Sequence, residues 1–137
     1  MTETELKEIV NLDDRVESKL RQLEELRETI TSIKGIDYSK DKIQTSPSNA
    51  LENSVIRLIE LEEEIAEDIN RLVSKRQSAR ERINEIEGVY GTILEMRYLE
   101  NKGFEEIAYR LSYSLVHIHR LHRVALMRIS KDDNKCY

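Results

Sequence analysis

The sequence predicts an all-α protein, in which a long antiparallel helical hairpin resembling a coiled coil precedes a C-terminal helix-turn-helix. Three observations support this fold class. Charged residues make up 36% of the 137 residues and aromatic residues only 5%, a composition typical of long helices with narrow apolar stripes. One proline and four glycines leave long stretches without helix breakers. Apolar residues also recur at intervals of seven along the first 87 residues.

Residues 1–87 are predicted to form the hairpin, with helices over about 3–34 and 48–87 joined by a loop at 35–47. The seven-residue row of the first helix is Ile9, Val16, Leu23 and Ile30. The row of the second helix is Leu51, Leu58, Ile65, Leu72, Ala79 and Ile86. The loop of about a dozen residues favours an antiparallel return of the second helix.

A companion row in each helix is less regular. In the first helix Lys19 interrupts it, and in the second helix Val55, Ile69 and Ile83 form it while Glu62 and Arg76 break it. The apolar residues outside these rows are Ile59, Leu61 and Val73. They favour self-association, with a homodimer preferred, although a spacer that buries its seam within one chain is the alternative.

Residues 88–131 are predicted to form the helix-turn-helix domain, followed by a flexible tail at 132–137. Gly88 and Gly91 mark the transition, and a helix around 92–101 comes next. The helix-turn-helix itself comprises Phe104–Leu111, a turn at Ser112-Tyr113, and Ser114–Ile129. Its expected core residues are Ile107, Ala108, Leu111, Ile118 and Leu121.

The face of the last helix left outside this core is the candidate DNA-binding surface, with Val116 and His119 at its margins. The candidate DNA-binding residues are Arg110, Tyr113, Ser114, Leu115, His117, Arg120 and Arg123. Arg120 and Arg123 suit phosphate or guanine, and Ser114 suits the N-cap position. Arg110, Lys102 and the Tyr113 hydroxyl suit the DNA backbone. Leu115 and Val116 suit either thymine methyl groups or an apolar protein partner.

Charge and composition narrow the function further. Residues 1–87 carry 14 Lys and Arg against 21 Asp and Glu, a net charge of −7, whereas residues 88–137 carry 8 against 6, a net charge of +2. All three histidines lie in that second part, and without a ligand cluster around them they are interpreted as DNA-facing imidazoles rather than a zinc site. We find no catalytic constellation and expect neither enzymatic activity nor a cofactor.

The chain is expected to be cytoplasmic. Cys136 has no partner for a disulfide, the N-terminal segment is acidic rather than basic, and no segment approaches the roughly 20 apolar residues of a membrane span. Neither a secretion signal nor a membrane anchor is therefore predicted.

The run TILEMRYLENKGFEEIAYRLSYSLVHIHRLHRVAL resembles region 4 of the sigma-70 family, a promoter-reading helix-turn-helix. From about Tyr38 onward, the chain also resembles small proteins of phages and prophages of Gram-positive bacteria. In those proteins a loop like KIQTSPSN leads into an acidic helix like LIELEEEIAEDI. Some are described as late-gene transcriptional regulators of the ArpU type, and many are of unknown function.

This resemblance implies a phage or prophage protein that binds double-stranded DNA near promoters in the host cytoplasm, with RNA polymerase as a further candidate partner. The family's usual Tyr-Ser-Arg-Arg-Gln-Val is replaced here by Tyr-Ser-Leu-Val-His-Ile at 113–118, and Ser112 replaces the usual turn glycine. Two alternatives stay open. One is a polymerase- or protein-binding module that does not read sequence, and the other is an oligomeric DNA-packaging protein like a small terminase subunit.

Overall fold

The structure, a computed structural model, describes residues 1–34 and 47–132. These residues form α-helices and one π-helix, with no β-strand among them, which confirms the predicted all-α class. The helices are α1 (Glu3–Lys34), α2 (Pro47–Asn84), α3 (Val89–Leu94), the π-helix (Glu95–Leu99), α4 (Phe104–Leu111) and α5 (Leu115–Asp132). The predicted loop at 35–47 lies outside the described residues except for Pro47, and the predicted tail at 132–137 lies outside them except for Asp132.

Two compact units each take one end of α1 and one end of α2. The first, here called the helix-turn-helix unit, comprises Met1–Asp13 and the chain from Arg71 onward. The second, the paired-helix unit, comprises Asp14–Asn70. The division of the chain into a hairpin domain at 1–87 and a separate domain at 88–131 stays a prediction.

In the paired-helix unit, α1 and α2 run antiparallel. The Lys19 ammonium of α1 lies 2.7 Å from the Asp68 carboxylate of α2. Arg27, two turns further along α1, lies 3.4 Å from Glu62, which precedes Asp68 in α2. Because the order of the partners reverses between the two helices, the ion pairs define the direction of packing.

The buried row of α2 differs from the predicted one. The core of this unit is formed by Leu23, Leu61 and Ile65, with Leu58 packed against it. Leu61 is only 2% exposed, so the prediction that it lies outside the rows is wrong, while Ile69, which was expected in the companion row, is 38% exposed. A straight α-helix falls about 20° behind a strict seven-residue repeat in each heptad. The buried companion therefore lies three residues after the main row at Leu61 and Asp68, and four residues after it at Ile83.

Lys19 interrupts the apolar row of α1 because it has a partner inside the unit. Asp68 is buried, and the Lys19 ammonium, itself largely covered, donates to its carboxylate and lies 3.6 Å from Glu64. A buried carboxylate needs a cation or hydrogen-bond donors in exchange for its lost hydration. The pair therefore specifies which residues of α1 and α2 lie opposite each other.

We expect Lys19→Ala to lower the free energy of unfolding by about 2–3 kcal/mol, because it leaves the Asp68 carboxylate buried without this cation. Arg27→Ala is the matched control, since it removes an exposed ion pair worth less than about 1 kcal/mol. Urea unfolding followed by circular dichroism measures both. Equal losses in the two variants would contradict a special role for the buried pair.

The helix-turn-helix unit buries the start of α1 and the end of α2 together. Its buried apolar residues from these segments are Leu6, Ile9, Leu12, Leu72, Ala79, Ile83 and Ile86. Polar contacts join the N-terminal segment to the C-terminal part of the unit as well: the Ser130 hydroxyl donates to the Met1 carbonyl at 3.4 Å, and the Asn101 amide donates to the Asp13 carboxylate. The first turns of α1 thus belong to the same packed body as the helix-turn-helix.

Gly91 allows α3 to lie directly against the end of α2. A Cβ atom at this position would lie 2.5 Å from the backbone oxygen of Ile86 and 3.2 Å from that of Ile83. Because both neighbours are backbone atoms, a larger residue would force α3 away. Gly88, which precedes α3, has a φ of 73°, a conformation that favours glycine. Both glycines of the predicted transition therefore have a structural reason.

Two arginines of α2 hold the π-helix. The guanidinium of Arg76, which interrupts the predicted apolar row, donates to the Leu99 carbonyl at 2.7 Å. Arg80 lies 3.0 Å from the Glu95 carboxylate at the other end of the π-helix. Carbonyls at the C-terminal end of a helix have no hydrogen-bond donor within the helix, and the Arg76 guanidinium supplies one for Leu99.

The helix-turn-helix packs α5 across α3 and α4. Its central cluster is Ile93, Met96, Ile107, Ala108 and Ile118, with Val89, Phe104, Leu111 and Leu121 partly buried around it. Of the residues predicted for this core, Ile107, Ala108 and Ile118 are buried in the cluster, and Leu111 and Leu121 pack against it. Small Ala108 lies in the cluster, as expected where the two helices approach each other.

The turn between α4 and α5 depends on Ser112, which adopts the left-handed conformation with φ 61° and ψ 39°. The Tyr113 amide donates to the Ala108 carbonyl at 3.0 Å, and the Ser112 amide donates to the Tyr109 carbonyl at 3.3 Å, a Schellman ending. A side chain at this position costs about 1 kcal/mol in backbone strain.

We therefore expect Ser112→Gly to raise the free energy of unfolding by roughly 0.5–1 kcal/mol, since glycine adopts this backbone without a Cβ clash. Ser112→Ala serves as the control, because it removes the hydroxyl and keeps the Cβ. Thermal denaturation distinguishes the two variants. A gain with alanine equal to that with glycine would show that the backbone conformation is not the cause.

Candidate nucleic-acid interface

Ser114 caps the N-terminus of α5. Its hydroxyl accepts a hydrogen bond from the His117 backbone N–H at 3.1 Å, which confirms the cap predicted from the sequence. The first turn of any α-helix has more N–H groups than partners, and its dipole favours an anion. This end of α5 is thus compatible with a DNA phosphate.

The exposed face of α5 carries two arginines beside apolar residues. Ile118, Ala125 and Ile129 are fully buried and mark the inner side of the helix. At 100° per residue, the opposite direction is occupied by Val116, Arg120, Arg123 and Met127. All four are exposed, and Val116 is 70% exposed.

Val116 therefore lies at the centre of the face, where the sequence analysis placed it at the margin. Leu115, expected on the face, is 39% exposed and lies towards α4, and His117 is half-buried on the other flank. The angle of each residue from Ile118 and Ala125, at 100° per residue, shows which residues lie on the exposed face of α5. Counting from the buried stripe would have identified Val116 and also Met127, which the sequence analysis missed.

Leu115 lines a shallow groove at the start of α5. The groove has a volume of about 330 Å³ and is lined by Gly103, Phe104, Glu105, Leu115 and His119. It joins the first turns of α4 and α5. Its carboxylate and its aromatic ring make it a poorer place for a phosphate than the arginine face on the same helix.

The remaining candidate residues near α5 differ in how far neighbouring side chains already engage them. The ring of Tyr113 contacts that of His117 edge-on, with centroids 4.8 Å apart. Arg110 on α4 is exposed and lies 3.2 Å from Glu106, one turn earlier. Lys102, proposed as a backbone contact, has a mostly covered side chain that is paired with Glu100. Of the cations around α5, Arg120 and Arg123 lie furthest out on the exposed face.

The ring of Phe104 lies among a cation and two imidazoles. The Arg97 guanidinium stacks over it at 4.1 Å from the centroid, and the centroids of His119 and His122 lie 4.6 and 4.9 Å away. His122 also shares a hydrogen bond of 2.8 Å with the Tyr98 hydroxyl. The interpretation of all three histidines as DNA-facing is therefore wrong for His122, because that ring is bound inside the unit.

Burial changes the protonation of the Tyr98–His122 pair. Loss of hydration lowers the pKa of His122 below its ordinary value of 6.5, against an opposing effect of the Glu3 carboxylate. Burial, assisted by Glu3, raises the pKa of Tyr98 to about 12. Both side chains are thus neutral at pH 7, which suits a hydrogen bond beneath α5.

Within residues 1–34 and 47–132, no group of three or more His, Cys, Asp or Glu is placed to hold a metal ion. Cys136 lies outside those ranges. Across the same part of the chain, no helix is both long enough and apolar enough to cross a membrane.

Residues 91–131 match the family described as Sigma-70, region 4. The match begins at Gly91 in α3 and extends through the π-helix and α4 to Lys131 near the end of α5. The match supports a helix-turn-helix of a DNA-binding regulatory type in this segment. A search of curated proteins and a search of solved structures found no match.

The buried imidazole predicts a pH dependence of stability. Because the pKa of His122 is lower in the folded than in the unfolded chain, the unfolded chain binds more protons below about pH 6.5. The stabilisation is fully present above that pH and is lost as the pH falls towards the folded pKa. We expect the urea midpoint to fall between pH 7.5 and 5.5, and to fall less in His122→Gln.

Tyr98→Phe is the control for this prediction. It removes the hydroxyl but leaves His122 buried, so the dependence on pH should persist, since burial is the largest cause of the shift. If the midpoint of His122→Gln falls as steeply as that of the wild-type protein, another group causes the dependence.

Proposed function

We propose that this protein is a phage- or prophage-encoded transcription regulator that binds double-stranded DNA by placing α5 in the major groove. The observation that carries the proposal is the exposed pair Arg120 and Arg123 on one face of α5, within the segment that matches sigma-70 region 4. A helix of this kind fits the major groove with its N-terminal residues towards the bases. The phage origin rests on the resemblance of the chain from about Tyr38 onward.

Arg120 and Arg123 lie at successive turns along the same face of α5, so both can enter the major groove. Arg120 is one turn and Arg123 two turns beyond Val116, so both follow the groove away from the N-terminus of α5. A guanidinium binds guanine or phosphate through two parallel hydrogen bonds. We assign base reading to Arg120 and either guanine or phosphate to Arg123.

The other candidate DNA-binding residues take supporting roles in the proposal. The capped end of α5 at Ser114 approaches one phosphate, and the Tyr113 hydroxyl and the Arg110 guanidinium approach the backbone beside it. Arg110 would exchange its exposed pair with Glu106 for a phosphate, a change with a small energetic cost because exposed pairs contribute little. His117 lies between this group and Arg120.

A second candidate function is an interaction with RNA polymerase or another protein. The observation that favours it is the apolar character of the start of α5, where Leu115 and Val116 are exposed, together with Tyr109 of α4, which is 86% exposed. Exposed aromatic and aliphatic side chains are typical of protein contacts. In this function the helix-turn-helix would present α5 to a protein instead of reading bases.

Self-association belongs to the proposal as well. On α2 of the paired-helix unit, Ile56 and Ile59 are exposed at about half their surface, and Ile69 is 38% exposed. A dimer would cover these residues and would place two helix-turn-helix units on one DNA site.

The test is selection of bound duplexes from a random DNA library at moderate salt, with the wild-type protein and the double variant Arg120→Ala/Arg123→Ala side by side. We expect an enriched motif with the wild-type protein and its loss in the variant. Loss of Arg120 alone should weaken binding by about 1–3 kcal/mol. A palindromic motif would indicate a two-fold dimer.

The matched control is Arg21→Ala/Arg57→Ala, which removes two exposed arginines from the paired-helix unit and keeps the enriched motif. If no motif is enriched and residual binding falls steeply with salt, the protein contacts only phosphates. That result would contradict sequence reading and favour the protein-binding function. Retention of the motif in the Arg120→Ala/Arg123→Ala variant would remove both arginines from the site.

A further inference from the structure

The exposed face of α5 carries an apolar residue near its N-terminus, and the position of this residue limits what it can contact. Val116 is 70% exposed and points away from Ile118, whereas Leu115, its neighbour, lies towards the groove beside Phe104. Val116 is also the second residue of α5, immediately after the capped end. A helix that enters the major groove N-terminus first brings this position close to the base edges.

A valine at the base edges favours an apolar group of the DNA, because its side chain forms no hydrogen bonds. It neither donates nor accepts a hydrogen bond, so a base amino group or carbonyl covered by it would lose water without compensation. The major-groove edge of DNA offers one apolar group, the C5-methyl of thymine. The same methyl group occurs on cytosine only after its methylation at C5.

Two arginines near Val116 supply positive charge for binding DNA, which an apolar contact cannot supply. Arg120 and Arg123 lie on the same face, four and seven residues further along α5. Four residues correspond to about 6 Å along the helix, or roughly two base-pair steps of 3.4 Å. The thymine contacted by Val116 should thus lie within about two base pairs of the position read by Arg120.

We propose that Val116 determines specificity by contacting the 5-methyl group of one pyrimidine in the DNA site. The proposal rests on the DNA-binding function proposed above and adds to it the chemical group that is read. The methyl is normally that of thymine, and 5-methylcytosine at the same place carries the equivalent group.

The experiment replaces each thymine of the selected duplex by uracil, one position at a time, which removes only a methyl group. Affinity is measured by fluorescence anisotropy at constant salt for the wild-type protein and for Val116→Ala. We expect one position at which uracil weakens wild-type binding by about fourfold, the effect of one lost methyl contact. In Val116→Ala, thymine and uracil at that position should bind within about twofold of each other.

Met127→Ala is the matched control, since it shortens another exposed apolar side chain of α5 and should keep the wild-type response to uracil. Leu115→Ala tests the neighbouring apolar residue as the alternative contact. A C·G pair at the same position should bind the wild-type protein more tightly when its cytosine carries the 5-methyl group. Circular dichroism establishes that each variant folds, which is expected for changes at exposed positions.

The outcomes separate the two proposals. A selected motif that shows no uracil effect overturns the role of Val116 and leaves the DNA-binding function intact. A uracil effect that persists in Val116→Ala and disappears in Leu115→Ala overturns it too and transfers the contact to Leu115. If no motif is selected at all, the sequence-reading function and the role of Val116 are both overturned.

Discussion

The orientation of α5 depends on the burial of Ile118, Ala125 and Ile129. These three side chains lie on one side of the helix and are completely covered. Covering such a stripe contributes several kcal/mol, far more than any single exposed contact on the opposite side. Rotation of α5 by even one residue position would expose part of this stripe. The buried side of α5 thus determines which residues lie on its exposed side, where a partner can bind.

The features that could be predicted from the sequence depend on neighbouring residues or on a clear apolar pattern. The bounds of α4 and the Ser114 cap follow from local chemistry, since a cap needs only its own side chain and the next turn. The core of the helix-turn-helix follows from a clear apolar pattern. In α2 the pattern is ambiguous, because Glu62 and Ile69 fit the companion row by spacing, but Leu61 and Asp68 occupy it.

Features that depend on distant residues could not be predicted in this way. Asp68 is an unfavourable core residue until Lys19 is placed beside it, 49 positions earlier in the chain. The π-helix leaves no periodic signal, because one turn of altered bonding changes the apolar pattern very little. His122 has the same residue type as His117, and only its contacts with Tyr98 and Phe104 separate an internal imidazole from a surface one.

The contact between Met1 and Ser130 has a consequence for how the chain folds. The two residues are 129 positions apart, and Asp13 and Asn101 are 88 apart. Helical proteins usually fold quickly because their contacts are local, and distant contacts slow folding through the entropy of closing a long loop. During synthesis, the N-terminal segment can pack on α2 but lacks its contact with α5 until Ser130 has been made. Apolar surface that awaits α5 is exposed for that interval, the stage at which aggregation competes with folding.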